Sequence, residues 1–145
     1  MTPREVDMKK AVSCHIVPAI GPYSSAVKAG PFIFCSGQIP LVPDTGEVIT
    51  ADVRRATEQA MRNLEAVLAA AGATLADVVK TTIYLVDMGD FPAVNEVYGR
   101  FFTAEPPARA TVQVARLPRE APIEIEAVAF RPPAFLEETD DLDGP

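Results

Sequence analysis

Two segments near the end of the chain carry side chains that could do chemistry: Arg109 in ARATVQVA (108–115), and Glu124 with Glu126 in IEIEAVAF (123–130). A guanidinium donates two parallel hydrogen bonds to a carboxylate through its planar fork. A glutamate can hold a water and take its proton. Both segments alternate as strands do, so Arg109, Thr111 and Gln113 share one face while Ala108, Ala110, Val112 and Val114 share the other. Likewise Ile123, Ile125, Ala127 and Ala129 oppose Glu124, Glu126, Val128 and Phe130. If the apolar sets meet helices, the face turned away carries the arginine and one or two carboxylates. A solvated sheet face alternates in the same way, so both readings stand at this level.

The elements that would position these groups follow from periodicity. Residues 1–11 read as a mobile leader, and Ser13–Val17 as a short strand before the Pro/Gly turn at 18–22. Ser24–Lys28 and Phe32–Gln38, split by Ala29-Gly30-Pro31, read as a hairpin. A turn is expected at Pro43-Asp44-Thr45-Gly46. Over 52–71 the period becomes helical, with Val53, Ala56, Ala60, Leu64, Val67, Leu68 and Ala71 on one stripe. Thr50 is the predicted N-cap and Gly72 the closing residue. Val78–Asp87 is rich in β-branched and aromatic residues and apolar on both faces, the mark of an interior strand. A second helix is predicted over 90–103, capped by Asp90, with Phe91, Val94, Tyr98, Phe101 and Phe102 on its apolar side. Two strands, 108–115 and 123–130, complete the unit. This order predicts an α+β fold, a mixed sheet with two helices on one face. It forms one domain over 1–131, followed by an acidic, disordered tail over 132–145.

Composition excludes several function classes. The net charge of −7 argues against nucleic acid, whose binding draws on a surplus of Lys and Arg. No apolar run approaches the roughly 18 residues of a membrane span. The charged start carries no signal core, so a cytoplasmic protein is expected. Cys14 and Cys35 show no metal or redox spacing, and one histidine, His15, supports neither a zinc site nor a triad.

Five segments in order carry a more specific signal: IGPYSSA (20–26), CSGQIP (35–40), VNEVYGRFF (94–102), PPARATVQVARLP (106–118) and IEIEAVAF (123–130). With these motifs the chain resembles the RidA (YjgF) family from about Ile20 to Phe130. The resemblance implies a chorismate-mutase-like fold of βαββαβ type. Three subunits would pack their sheets into a central barrel, with helices outside and sites in the clefts between subunits. It implies hydrolysis of enamines and 2-imino acids, such as 2-iminopropanoate and 2-iminobutanoate, to 2-keto acids and ammonia, with no metal and no cofactor.

Carried over by motif, Arg109 grips the substrate carboxylate and Glu124 holds or activates water. Tyr23, Ser36 and Asn95 line the pocket, and Thr111 contacts substrate through its backbone. Each of the three lining residues has a structural alternative: Tyr23 capping a core edge, Ser36 bonding backbone near a bulge, Asn95 on a helix surface. Thr111 stands where the best-known branch carries a cysteine, and Ser25 where glutamine is frequent, which bears on branch and substrate size. Because a protonated imine is already a strong electrophile, orientation and one positioned acid/base suffice. The alternatives are an endoribonuclease or translation inhibitor, and a non-catalytic trimer that binds small molecules.

Overall fold

The helical stripe at 52–71 folds as α1 (Val53–Ala70), but a different residue starts it. Asp52, not Thr50, is the N-cap: its Oδ1 accepts from the backbone N–H of Arg54 at 3.1 Å and of Arg55 at 3.2 Å. An aspartate immediately before the first turn satisfies donors that Thr50, two residues further back, leaves alone. At the other end Gly72 takes φ +82°, the left-handed conformation that only glycine adopts without cost. The computed structural model describes residues 8–132, so the expected acidic tail lies almost wholly outside the described residues.

The strands are β1 (Lys9–Val12), β2 (Ala26–Ala29), β3 (Phe32–Gln38), β4 (Val78–Leu85), β5 (Ala108–Gln113) and β6 (Ile123–Phe130), with α2 (Phe91–Gly99) between β4 and β5. They form one sheet in the order β1-β2-β3-β6-β4-β5. Only β4 and β5 pair in parallel, joined by the α2 crossover; the remaining pairs are antiparallel. This is the expected α+β arrangement, and β4 is interior as predicted. The β2–β3 hairpin closes over Gly30 at φ +60° and Pro31, pairing Ala29 with Phe32.

Two boundaries differ from expectation. Part of the supposed leader is a strand: Lys9–Val12 adds to β2, while Ser13–Val17 bends away. An edge strand needs backbone pairing on one side only, so exposed Lys9 and Lys10 show no alternation to betray it. α2 stops at Gly99 rather than Thr103, and its last turn tightens as Arg100 N–H bonds Val97 O and Phe101 N–H bonds Tyr98 O.

The core lies between one sheet face and the helices. From α1 it takes Ala56, Ala60, Met61, Leu64, Val67 and Leu68, all fully buried, against Ile83, Leu85, Ile123 and Ile125 from the sheet. Each buried Leu or Ile stabilises the fold by about 1.5–3 kcal/mol. Asn63 is buried too, because its Nδ2 donates to Ile39 O at 3.1 Å and Leu41 O at 2.8 Å. That bond ties the loop after β3 to α1. The other sheet face is open and carries Phe32, Phe34 and Phe130, each between 41% and 49% exposed.

Candidate active site

At the end of β3 the pairing with β6 slips: Cys35 faces Ala127, but Gln38 faces Ile125, so the stretch Ser36–Gly37 bulges. Bulges re-aim side chains and are frequent beside active sites. Here Ser36 Oγ donates to Ser24 O at 2.6 Å, and Ser36 N–H to Ser25 O at 3.0 Å, fixing the bulge against the segment that carries Tyr23. Ser36 thus bonds backbone near a bulge, the structural alternative raised for it. Gly37 leaves the space that Glu124 fills; a Cβ there would come within 2.7 Å of Glu124 Oε2. A small cleft of about 80 Å³ results, with Tyr23, Gly37, Gln38, Pro118 and Glu124 among its lining. Tyr23 is half exposed and accepts only a long 3.4 Å bond from Ile20 N–H, so its ring caps no core edge.

Glu124 is partly buried on the open face of the sheet, and its carboxyl is held above the usual carboxylate range by desolvation and then by Glu126 beside it. Glu126 in turn accepts a 2.6 Å hydrogen bond from Tyr84 Oη, and that bond is the main reason the Tyr84 hydroxyl is pushed up to about 12.

Arg109 occupies a second locus. Its guanidinium carbon lies over the rings of Phe91 and Tyr98, 5.4 and 5.1 Å from their centroids. Both rings belong to α2. Met88, Gly89, Phe91, Pro92, Arg109 and Thr111 line an open groove of about 700 Å³. Among the described residues no carboxylate pairs with Arg109. Asn95 lies one turn along α2 from Phe91, on the same side. Its Oδ1 is buried without a hydrogen-bond partner, as is Thr111 Oγ1. Asn95 is therefore no ordinary helix-surface residue.

The expectation that Arg109 and Glu124 share the helix-free face is overturned. In the parallel β4–β5 pair Arg109 stands beside Thr81, which is fully buried under the helices, whereas Glu124 stands beside Tyr84 on the open face. The two groups lie on opposite faces of one sheet. Since β5 is an edge strand at the margin of the helical layer, its helix-side Arg109 and Gln113 are solvent-exposed and only Thr111 between them is partly buried, so the strand tolerates charge there. Alternation correctly separated the two sets in β5 but not which set met the helices. The sequence expectation also passed over Gly37 and the Phe91–Tyr98 platform. The SGQ motif held the first signal, and the i, i+7 spacing of two aromatics in α2 held the second.

The Cys35 thiol is buried and pushed up to about 12 by desolvation, so it stays protonated. Among the described residues no three His, Cys, Asp or Glu side chains converge as a metal site would need. His15 is exposed and is not among the residues lining either locus. No helix among the described residues is long and apolar enough to cross a membrane.

Residues 14–131 match the model of the family described as Endoribonuclease L-PSP, the YjgF/RidA family. The chain belongs to it. A RutC family protein of Pyrococcus horikoshii is 49% identical over 125 residues, 86% of this chain and 99% of that protein. Reactive Intermediate Deaminase A, chloroplastic, of Arabidopsis thaliana is 48% identical over 83% of this chain and 65% of its own length. Among solved structures, that of Escherichia coli TdcF with bound serine superposes with a TM-score of 0.80 at 44% identity, covering 84% of this chain and 98% of that one. Members of the YjgF/RidA family thus carry both deaminase and endoribonuclease descriptions.

Proposed function

We propose that this chain hydrolyses 2-imino acids, such as 2-iminopropanoate and 2-iminobutanoate, to 2-keto acids and ammonia, and that it does so as a homotrimer. The observation that carries this reading is the split site. Arg109 offers its fork with no carboxylate partner among the described residues, and Glu124 waits in a cleft on the opposite sheet face. Because the two groups lie on opposite faces of one sheet, this reading brings the Arg109 groove of one subunit against the Glu124 cleft of the next. The exposed Phe32, Phe34 and Phe130 on the open face supply apolar area for that assembly.

In this arrangement Arg109 holds the substrate carboxylate bidentately. Glu124 takes a proton from a water as its oxygen adds to the imine carbon, giving a carbinolamine. The same carboxyl then returns the proton to the nitrogen. Ammonia leaves as the carbon–oxygen double bond forms and the hydroxyl proton passes to the Glu124 carboxylate, and the 2-keto acid stays on Arg109 until release. A carboxyl raised by desolvation and by Glu126 suits a group that must both accept and return a proton. Asn95 Oδ1 and Thr111 Oγ1, buried and unpartnered, are groups for substrate or a neighbouring subunit to satisfy. Serine, bound in the TdcF crystal structure, has the α-carboxylate and α-nitrogen of an imino acid. A net charge of −7 works against the ribonuclease description.

Two variants separate the roles. Arg109→Lys keeps the charge but loses the fork, and should weaken binding of a stable 2-keto acid measured by calorimetry. Glu124→Gln should spare that binding while lowering imine hydrolysis by roughly a hundredfold. Imine made in situ by an amino-acid oxidase and trapped with semicarbazide reports the rate. Normal behaviour of both variants would remove the deaminase assignment of these residues. Light scattering that gives a monomer at micromolar concentration would remove the shared site.

A further inference from the structure

Arg109 is exposed on an edge strand, where a free arginine samples many rotamers. Two aromatic rings of α2 instead cover its guanidinium, Tyr98 at 5.1 Å and Phe91 at 5.4 Å. Rings of this kind attract a cation through their faces and leave its N–H donors free for a carboxylate. Tyr98 is itself held on three sides. It is 5% exposed, its ring packs 4.9 Å from that of Phe102, and its hydroxyl shares a 2.7 Å hydrogen bond with Thr81 Oγ1 in the core. Thr81 is the residue of β4 that stands beside Arg109 in the sheet. The path Thr81–Tyr98–Arg109 therefore closes on itself through one backbone pairing, and the arginine is fixed relative to the strand that carries it.

We propose that Tyr98 and Phe91 are positioning residues for the carboxylate clamp: they hold Arg109 in its binding rotamer before substrate arrives. This rests on the assignment of Arg109 as the clamp. Without the rings, ordering a mobile arginine on binding would cost about what one immobilised rotamer-rich side chain costs, which weakens affinity roughly fivefold. The same loss of alignment lowers kcat, since the imine carbon then sits less well against the water.

The test is a set of double-mutant cycles read by pyruvate calorimetry and imine-trapping kinetics on the full chain. Tyr98→Leu and Phe91→Leu should each weaken pyruvate roughly fivefold and lower kcat. Tyr98→Phe, which keeps the ring, should restore both to within about twofold. In an Arg109→Ala background the leucine variants should have no further effect on pyruvate, because they act through Arg109. Additive losses in that background would overturn the proposal, since the rings would then touch ligand directly or act through general stability. Near-normal affinity and kcat in folded Tyr98→Leu and Phe91→Leu would also overturn it while leaving the clamp intact. Should Tyr98→Leu not fold, Phe91→Leu alone decides by the same criteria. Normal pyruvate binding by Arg109→Ala overturns the clamp itself, and the positioning role with it.

Discussion

Replacing Gly37 by alanine tests the Glu124 cleft without touching the carboxylate itself. The backbone at Gly37 is not in the left-handed region, so alanine is acceptable there on conformational grounds. Its new Cβ, however, would stand 2.7 Å from Glu124 Oε2, 2.8 Å from Cδ and 3.0 Å from Cγ, where ordinary contact begins at 3.4 Å. The overlap runs along three successive atoms, so turning the terminal carboxylate alone cannot relieve it. An inner torsion of Glu124 must change, carrying the carboxylate away by most of an ångström. A displaced torsion of this size costs about 1 kcal/mol of stability, or a midpoint lowered by about 3 °C in a chain of this length. Turnover should suffer far more, because a misplacement near 1 Å costs on the order of a hundredfold. Imine trapping gives the rate, a thermal melt gives the stability, and pyruvate calorimetry provides the control. Pyruvate affinity should stay within about twofold, since the ligand carboxylate is held by Arg109 while the added methyl presses on Glu124. A Gly37→Ala protein with unchanged turnover would refute the reasoning, for it would show that the position of Glu124 does not matter.

Further outcomes follow from the same geometry. Glu124 must be ionised to take a proton from water, so the rate should fall as pH drops through its raised value; Glu126→Gln removes one cause of the rise and should move this acid limb of the kcat/KM profile downward. Tyr84 keeps an acceptor in that variant, which limits structural side effects. For stability the sense is reversed: a carboxyl raised on folding favours the fold below its unfolded value, and that contribution is lost as pH rises through the folded one. Glu120 sits at φ +60° next to Arg119 at φ +55°, in the segment following the cleft residue Pro118. Glu120→Gly should raise stability by about 1 kcal/mol by relieving the left-handed strain, since the exposed ion pair it forfeits with Arg116 contributes little. Calorimetry showing no rise in the thermal midpoint would count against strain at that turn.

Local pattern determined much of this molecule. The stripe of α1, the hairpin closed by Gly30-Pro31, the interior character of β4 and the alternation of β6 are short-range properties, set by side-chain size, β-branching and turn chemistry over a few residues. Five motifs in order identified the family, and the arginine and glutamate they pointed to prove to be a cation stacked on an aromatic ring and a partly buried acid with a raised carboxyl. Tertiary structure decided the remainder. β1 carries no periodic signal, because it pairs with β2 while burying only Val12 of its four side chains. The opposite faces of Arg109 and Glu124 depend on the parallel register of β5 with β4 and on how far the helical layer extends over an edge strand. Alternation along one strand is symmetric under exchange of faces, so only the packing of that strand against its neighbours breaks the tie.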